Sequence, residues 1–183
     1  MRVKPGGLPG LMIVEPEVFG DDRGYFMETY HERKLAAQGL FVRFVQDNYS
    51  RSVRDTLRGL HYQHPSGQGK LVRATAGAIF DVAVDIRVGS PTFGKWAGHE
   101  ISSDNKLALY VPVGFAHGFC VLSEAAEVSY KCTDFYAPSC ERGIAWNDPD
   151  IGIEWPVKAP LLSGRDSRLA PLAEQREFLP PFE

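Results

Sequence analysis

A chain of 183 residues, 44% hydrophobic and 23% charged, has the composition of a globular domain large enough to bury its own core. Its formal net charge of −3 excludes a protein-wide field that would draw it onto nucleic acid or anionic lipid. The three cysteines, Cys120, Cys132 and Cys140, are odd in number and lack CxxC spacing, which argues against a disulfide framework and a structural zinc site.

The chain opens with MRVKPGGLPGLMIVEPEVF, which has no apolar run long enough for a signal peptide or a membrane span, so a cytoplasmic location is expected. Strand-like runs follow at LMIVEP (11–16) and GYFMETY (24–30). HERKLAAQGL (31–40) is the only convincing helix, closed by Gly39. Strands resume at VRFVQDNYS (42–50), TLRGLHYQ (56–63), KLVRATAG (70–77), AIFDVAVDIRV (78–88), WAGHEIS (96–102), LALYVPVG (107–114), AHGFCVLS (116–123) and EVSYKCTDF (127–135). In AIFDVAVDIRV, Phe80, Val82, Val84 and Ile86 mark a core face, while Asp81 and Asp85 look into something polar. Eighteen Gly and thirteen Pro punctuate these runs. From Trp155 on, Pro156, Pro160, Pro171, Pro180 and Pro181 predict an ordered wrap packed on the strands. There are no repeats and no linker. The expectation is one all-β domain over residues 1–183, a sandwich or jelly-roll barrel with one short helix and an irregular C-terminal segment.

Three clusters could carry chemistry. In TLRGLHYQHPSGQGKL (56–71), alternation puts His61 and Gln63 on one face and Leu60 and Tyr62 on the other. Arg58 then points away from His61 unless Gly59 marks a bulge that re-aims it. Arg51, Arg54 and Arg58 form a local basic cluster, readable as a solvated edge strand or a small anion site. His64, in the turn before Pro65, is expected at the surface. The second cluster is VPVGFAHGF (111–119), with Pro112, Gly114 and His117. The third is EVSYKCTDFY (127–136), where Tyr130 and Tyr136 are expected on one face, followed by the loop residues Arg165 and Asp166. Taken singly, each has a bland reading: a hydrogen-bonded filler histidine, a core tyrosine, a turn aspartate.

The PxGxxH spacing resembles the second motif of the cupin family of small β-barrels. At the place of that family's metal-binding HxH pair this chain reads His61-Tyr62-Gln63, so one ligand is missing and no metal is expected. In order and spacing, FGDDRGYFMETY, FVQDNYSRS, LRGLHYQ, GQGKLVR, GAIFDVAVDIRVGSPTFGKW, VPVGFAHGF, YKCTDFY and WNDPDIGIEWP resemble the dTDP-4-dehydrorhamnose 3,5-epimerases, metal-free cupins, over residues 8 to 172. The resemblance implies a cupin-type jelly roll without cofactor. It also implies inversion at C3 and C5 of dTDP-4-dehydro-6-deoxy-D-glucose by enolisation.

It further implies roles residue by residue. His61 matches the base, since an imidazole accepts a proton near neutral pH. Asp166 matches its carboxylate partner, Lys70 the cation beside the C4 oxygen, and Tyr130 the opposing acid. Arg23 and Arg58 match diphosphate contacts, and Glu28, Gln46, Asp47 and Asn48 nucleotide contacts. Tyr136 matches a ring stacked on thymine, His117 a polar wall, and Glu141 a further contact. Arg165 stands where many members have Lys, which keeps the charge but changes its geometry. A homodimer with exchanged N-terminal segments is implied, in which Arg23 and Glu28 complete the neighbour's site. The rival readings are a 3- or 5-monoepimerase of another deoxysugar pathway, a metal-dependent cupin oxygenase, and a non-catalytic nucleotide-sugar-binding module.

Overall fold

The computed structural model describes residues 1–182. Its elements are β1 (Arg2–Pro5), β2 (Met12–Glu15), β3 (Val18–Asp21), β4 (Gly24–Met27), α1 (Glu32–Ala36), β5 (Gln46–Val53), β6 (Leu57–Gln63), β7 (Lys70–Ala76), β8 (Ala78–Asp85), β9 (Trp96–Ser102), β10 (Ala108–Val111), β11 (Phe115–Val121), β12 (Ala125–Cys132) and β13 (Glu141–Gly143). The fold is all-β, as expected. One sheet has the order β1-β2-β10-β7-β12-β5 and faces a second of order β13-β6-β11-β8-β9; β3 and β4 pair apart from both. Among the described residues no helix is long and apolar enough to cross a membrane.

Three apolar layers hold these sheets. The inner one gathers Val72, Ala74, Leu109 and Val128 from the first sheet against Ile79, Ala83, Ile101, Phe115 and Phe119 from the second. A second layer covers the outer face of the five-stranded sheet, where Leu60, Tyr62, Val82, Val84 and Ile86 meet Ile144 and Ile151 and, from the C-terminal segment, Leu172 and Leu179. The expected wrap is therefore a real layer of the fold. Burying each of its leucines contributes about 1.5–3 kcal/mol. The third layer packs Leu35 and Leu40, from α1 and the turn after it, on Val14, Leu71, Ala108 and Tyr110.

Because two layers sandwich β8, its alternation differs from the expected core and polar faces. Val82, Val84 and Ile86 pack outward under the C-terminal segment, while Ile79, Asp81, Ala83 and Asp85 point into the barrel, and all are fully buried. The strand also stops at Asp85 rather than running to Val88. Asp85 Oδ1 accepts from Arg87 Nε at 2.8 Å, and Oδ2 accepts from Ser90 Oγ and Thr92 Oγ1 at 2.6 Å each, which folds the chain back on itself.

Other boundaries moved for local reasons. α1 is shorter than 31–40 because Gly39, at φ +85°, ends it: the Leu40 N–H reaches the Leu35 carbonyl and the Gly39 N–H that of Ala36. β10 stops before Pro112, which cannot donate to the ladder. β12 stops at Cys132, so Tyr136 lies beyond the strand and does not share its face by alternation. β1, β3 and β13 are short strands that the sequence pattern does not announce.

Asp85 yields the first prediction. Burial alone pushes its carboxyl up, but the donors of Arg87, Ser90 and Thr92 outweigh it and hold the pKa at about 2, below the ordinary 3.8. A carboxylate depressed in the fold stabilises it above the unfolded value, and that contribution disappears as pH falls through about 2. Asp85→Asn is expected to lose about 2 kcal/mol at neutral pH, with the difference from wild type shrinking between pH 4 and pH 2. Urea midpoints measured across that range check it.

Candidate active site

The site begins with a break in alternation. On β11 only Gly118 separates His117 from Phe119, whereas their partners on β6, His61 and Arg58, are separated by both Gly59 and Leu60. This extra residue is the bulge that the sequence left open. Gly59 sits at φ +133°, and a Cβ there would come within 2.5 Å of the Gly118 Cα; one on Gly118 would meet the Arg58 carbonyl at 2.8 Å. Only two glycines allow the backbones to cross so closely. The consequence is that Arg58 and His61 line the same cavity of about 440 Å³, together with Lys70, His117, Phe119, Tyr130 and Asp166.

Asp166 arrives from the C-terminal segment. Leu161 bridges to Thr56, and its carbonyl accepts from the Leu57 N–H at 3.0 Å, which hooks the segment to the start of β6. The Asp166 N–H then donates to Ser163 Oγ, and Asp166 Oδ1 lies 2.7 Å from His61 Nε2. The carboxyl is buried, with its side chain only 4% exposed, while 28% of the His61 side chain remains open to the cavity. Burial pushes Asp166 up, yet the His61 and Ser163 hydrogen bonds and the Gly59 N–H outweigh it and hold it below the usual carboxylate range. Asp166 is therefore the acceptor and His61 Nε2–H the donor, which leaves Nδ1 with the free lone pair.

Lys70 and Tyr130 complete this wall. They rise from β7 and β12, where Tyr130 pairs with Val72 and Lys70 with Cys132. Among the described residues Lys70 makes no hydrogen bond or ion pair with any protein group, so its three donors face the cavity unengaged. Burial lowers its pKa from the usual lysine value. Burial raises that of Tyr130, which keeps its phenol protonated well past neutrality.

A second lobe of about 340 Å³ shares His61, Lys70, Tyr130 and Arg165 with the first. Its rim is a hydrogen-bonded chain. Gln46 Nε2 donates to Asn48 Oδ1, and Asn48 Nδ2 to Cys132 Sγ. The Tyr136 N–H donates to Gln46 Oε1, and Tyr136 Oη to Glu141 Oε2 at 2.7 Å, which also accepts from Arg165 at 2.5 Å. Tyr136 thus reaches the lobe through these contacts rather than by strand period.

Of the site residues that the resemblance implies, three line neither lobe. Asp47 turns outward to Lys131. Arg23 pairs with Asp21 at the tip of the β3–β4 hairpin, and Glu28 with Lys34. His64 is half-buried rather than at the surface, because its N–H is held by the Cys140 carbonyl. Sequence reasoning assigned no part to Ser50, Gln63, Gln68, Phe119 or Ser163, which line the lobes, or to Asp81, whose Oδ1 lies 2.6 Å from His117 Nε2. Gln63 shares the period of His61, so its position was readable. Asp81 had the signal of a charge inside an apolar strand.

The family model described as dTDP-4-dehydrorhamnose 3,5-epimerase matches residues 6–174. The dTDP-4-dehydrorhamnose 3,5-epimerase of Pseudomonas aeruginosa is 60% identical over 168 residues, covering 91% of this chain and 93% of that one. Among solved structures, the dTDP-6-deoxy-D-glucose-3,5-epimerase of Legionella pneumophila, in complex with dTDP-4-keto-L-rhamnose, superimposes with a TM-score of 0.95 at 46% identity, covering 100% of this chain and 98% of that one. A 4-keto-6-deoxy sugar epimerase from the novobiocin gene cluster of Streptomyces spheroides gives 0.94 at 42% identity, covering 100% and 94%.

The crossing glycines give the second prediction. Gly59→Ala must place a methyl group inside the Gly118 backbone at a positive φ, and should cost about 2–4 kcal/mol. Thermal unfolding checks the stability. Circular dichroism should show that any folded fraction keeps its strands.

Proposed function

The chain belongs to the dTDP-4-dehydrorhamnose 3,5-epimerase family, and on that footing we propose that it converts dTDP-4-dehydro-6-deoxy-D-glucose into dTDP-4-dehydro-6-deoxy-L-mannose. Both inverted carbons adjoin the C4 ketone, so their C–H bonds are acidic and each inversion can pass through an enolate. The chemistry requires a base on one face of the sugar, a positive group at the enolate oxygen, and an acid on the other face.

His61 is the base in this reading: Nδ1 takes the proton, while Asp166 holds Nε2–H and stabilises the imidazolium that results. Lys70 supplies the charge at the C4 oxygen, and its lack of a protein partner suits that task. Tyr130, whose phenol is protonated at neutral pH and is held so further by partial burial, returns a proton from the far side. A positioned acid or base is worth roughly 10²–10⁴-fold, and a preorganised charge roughly 10²–10³-fold. The observation that carries the proposal is the 2.7 Å His61–Asp166 contact facing one cavity with an unengaged ammonium and a half-buried phenol.

Binding follows the two lobes. Arg58, whose Nε is fixed on Ser52 Oγ at 2.9 Å, presents a guanidinium fork to the diphosphate. Gln46, Asn48, Tyr136, Glu141 and Arg165 receive the nucleotide, and His117 bounds the sugar. Arg23 and Glu28 act in a homodimer, by completing the partner's cavity. The β3–β4 hairpin supports this reading, since it stands apart from both sheets with Phe19, Tyr25 and Phe26 each more than half exposed.

Two experiments test these assignments. Incubation with the 4-keto sugar nucleotide in D₂O should place deuterium at both C3 and C5, and His61→Ala should slow both by at least about 100-fold. Label at one carbon alone would reduce the activity to monoepimerisation; none would leave only binding. Mixing Arg23→Ala with His61→Ala should recover activity in mixed dimers, up to about a quarter of wild-type sites on random exchange. No recovery would confine Arg23 to its own protomer.

A further inference from the structure

Away from the two catalytic lobes, a cavity of about 240 Å³ gathers positive charge and no negative charge. Val72 and Ala74 of β7 point into the inner apolar layer, so Arg73 and Thr75 point outward by strand period. There they meet Tyr25 and Met27 of β4, Thr29 just beyond it, and Ser103 and Lys106 of the turn between β9 and β10. Arg73 Nε is buried without a hydrogen-bond partner, and Nη2 has only Met27 Sδ, at 3.8 Å. Among the described residues no carboxylate lines this cavity, and none pairs with Arg73 or Lys106. A half-buried guanidinium without a counter-charge is costly, and a second cation beside it adds repulsion. The turn that carries Lys106 is built rather than loose. Asn105 Oδ1 accepts from the Ser102 and Leu107 N–H groups at 3.0 Å each. Lys106 itself is held at φ +59°, a conformation that glycine adopts at less cost. Its Nζ donates to the Ser103 and Asp104 carbonyls at 3.4 and 3.1 Å and lies 4.7 Å from the centre of the Tyr25 ring. One of its three donors is left for the cavity.

We propose that this cavity is a binding site for a free oxyanion of the phosphate class, separate from the catalytic lobes. The guanidinium fork of Arg73 suits two oxygens of such an ion, and the Lys106 ammonium supplies a point charge to a third. Thr75 Oγ1 already donates to the Glu127 carbonyl at 3.2 Å, which leaves Thr29 and Ser103 as the hydroxyl donors. The donors thus come from three directions: β7, the stretch after β4 and the turn after β9. That spread fits a tetrahedral ion better than a planar carboxylate. An anion seated there turns the repulsion between the two cations into attraction. It also ties β4, whose hairpin stands apart from both sheets, to β7 and to the turn after β9.

The site stands independently of the enolisation reading, and its test uses inorganic phosphate alone. Phosphate is titrated into the full chain at constant ionic strength, with chloride as the control, and followed by ¹H–¹⁵N NMR. The Arg73 Nε–H and the backbone amides of 103–106 are expected to shift saturably with phosphate and not with chloride. Arg73→Gln should weaken that response about tenfold or more, since it removes charge-assisted hydrogen bonds. Lys106→Gln, scored on the amides of β4, covers the case in which the Arg73 variant does not fold. Shifts confined to residues around Arg58, His61 and Lys70 would put the anion in the catalytic cavity and overturn the proposal. So would a response that does not saturate, or one that both variants leave unchanged. Sedimentation supplies the last arm: if Arg73→Gln splits an oligomer and phosphate shifts nothing, the occupant is a carboxylate of a second copy, and the free-anion site is refuted.

Discussion

A strand shows only every second side chain to one side, and this protein needs more than that from one strand. His61 and Arg58 are an odd number of residues apart and would face opposite ways on a regular ladder. The single extra residue at Gly59–Leu60 cancels the mismatch, and it fits only because Gly59 and Gly118 have no side chains where the two strands cross. The cavity inherits its composition from that crossing. Without it the guanidinium would leave the face that carries the imidazole.

The second dependence is on the C-terminal segment. It has little regular structure, yet it is anchored by Leu172 and Leu179 in the outer apolar layer and by the Leu161 hook at β6. Between these anchors it delivers Asp166 to His61. Stability and chemistry are therefore coupled through one stretch of chain: the burial that closes the barrel's outer face is also what holds the carboxylate in register with the imidazole. A loop without that apolar footing would leave the ring free to rotate.

The electrostatics of the cavity follow from burial inside a barrel rather than from net charge. Lys70, Asp81 and Asp166 are placed where water is scarce, each at a cost that a neutral core would not carry. Asp85, a few residues along the same strand as Asp81, shows the contrasting solution, with both oxygens satisfied by Arg87, Ser90 and Thr92. One carboxylate is locked into the fold, and the other is left with an unspent oxygen beside the site.

The sequence alone determined the all-β class, nearly every long strand, the Gly39 stop and the family. Each is written in short-range periodicity, in turn residues or in motifs that stay contiguous along the chain. It also placed His61, Lys70, Tyr130 and Arg58 near one another by resemblance. Tertiary structure decided the rest. Whether Gly59 bulges depends on Gly118, almost 60 positions away; whether Asp81 faces solvent or core depends on a layer supplied by the C-terminal segment. Asp47 turns outward because its strand alternates, although it sits between two lining residues. Such facts depend on which surfaces meet, and no local pattern encodes that.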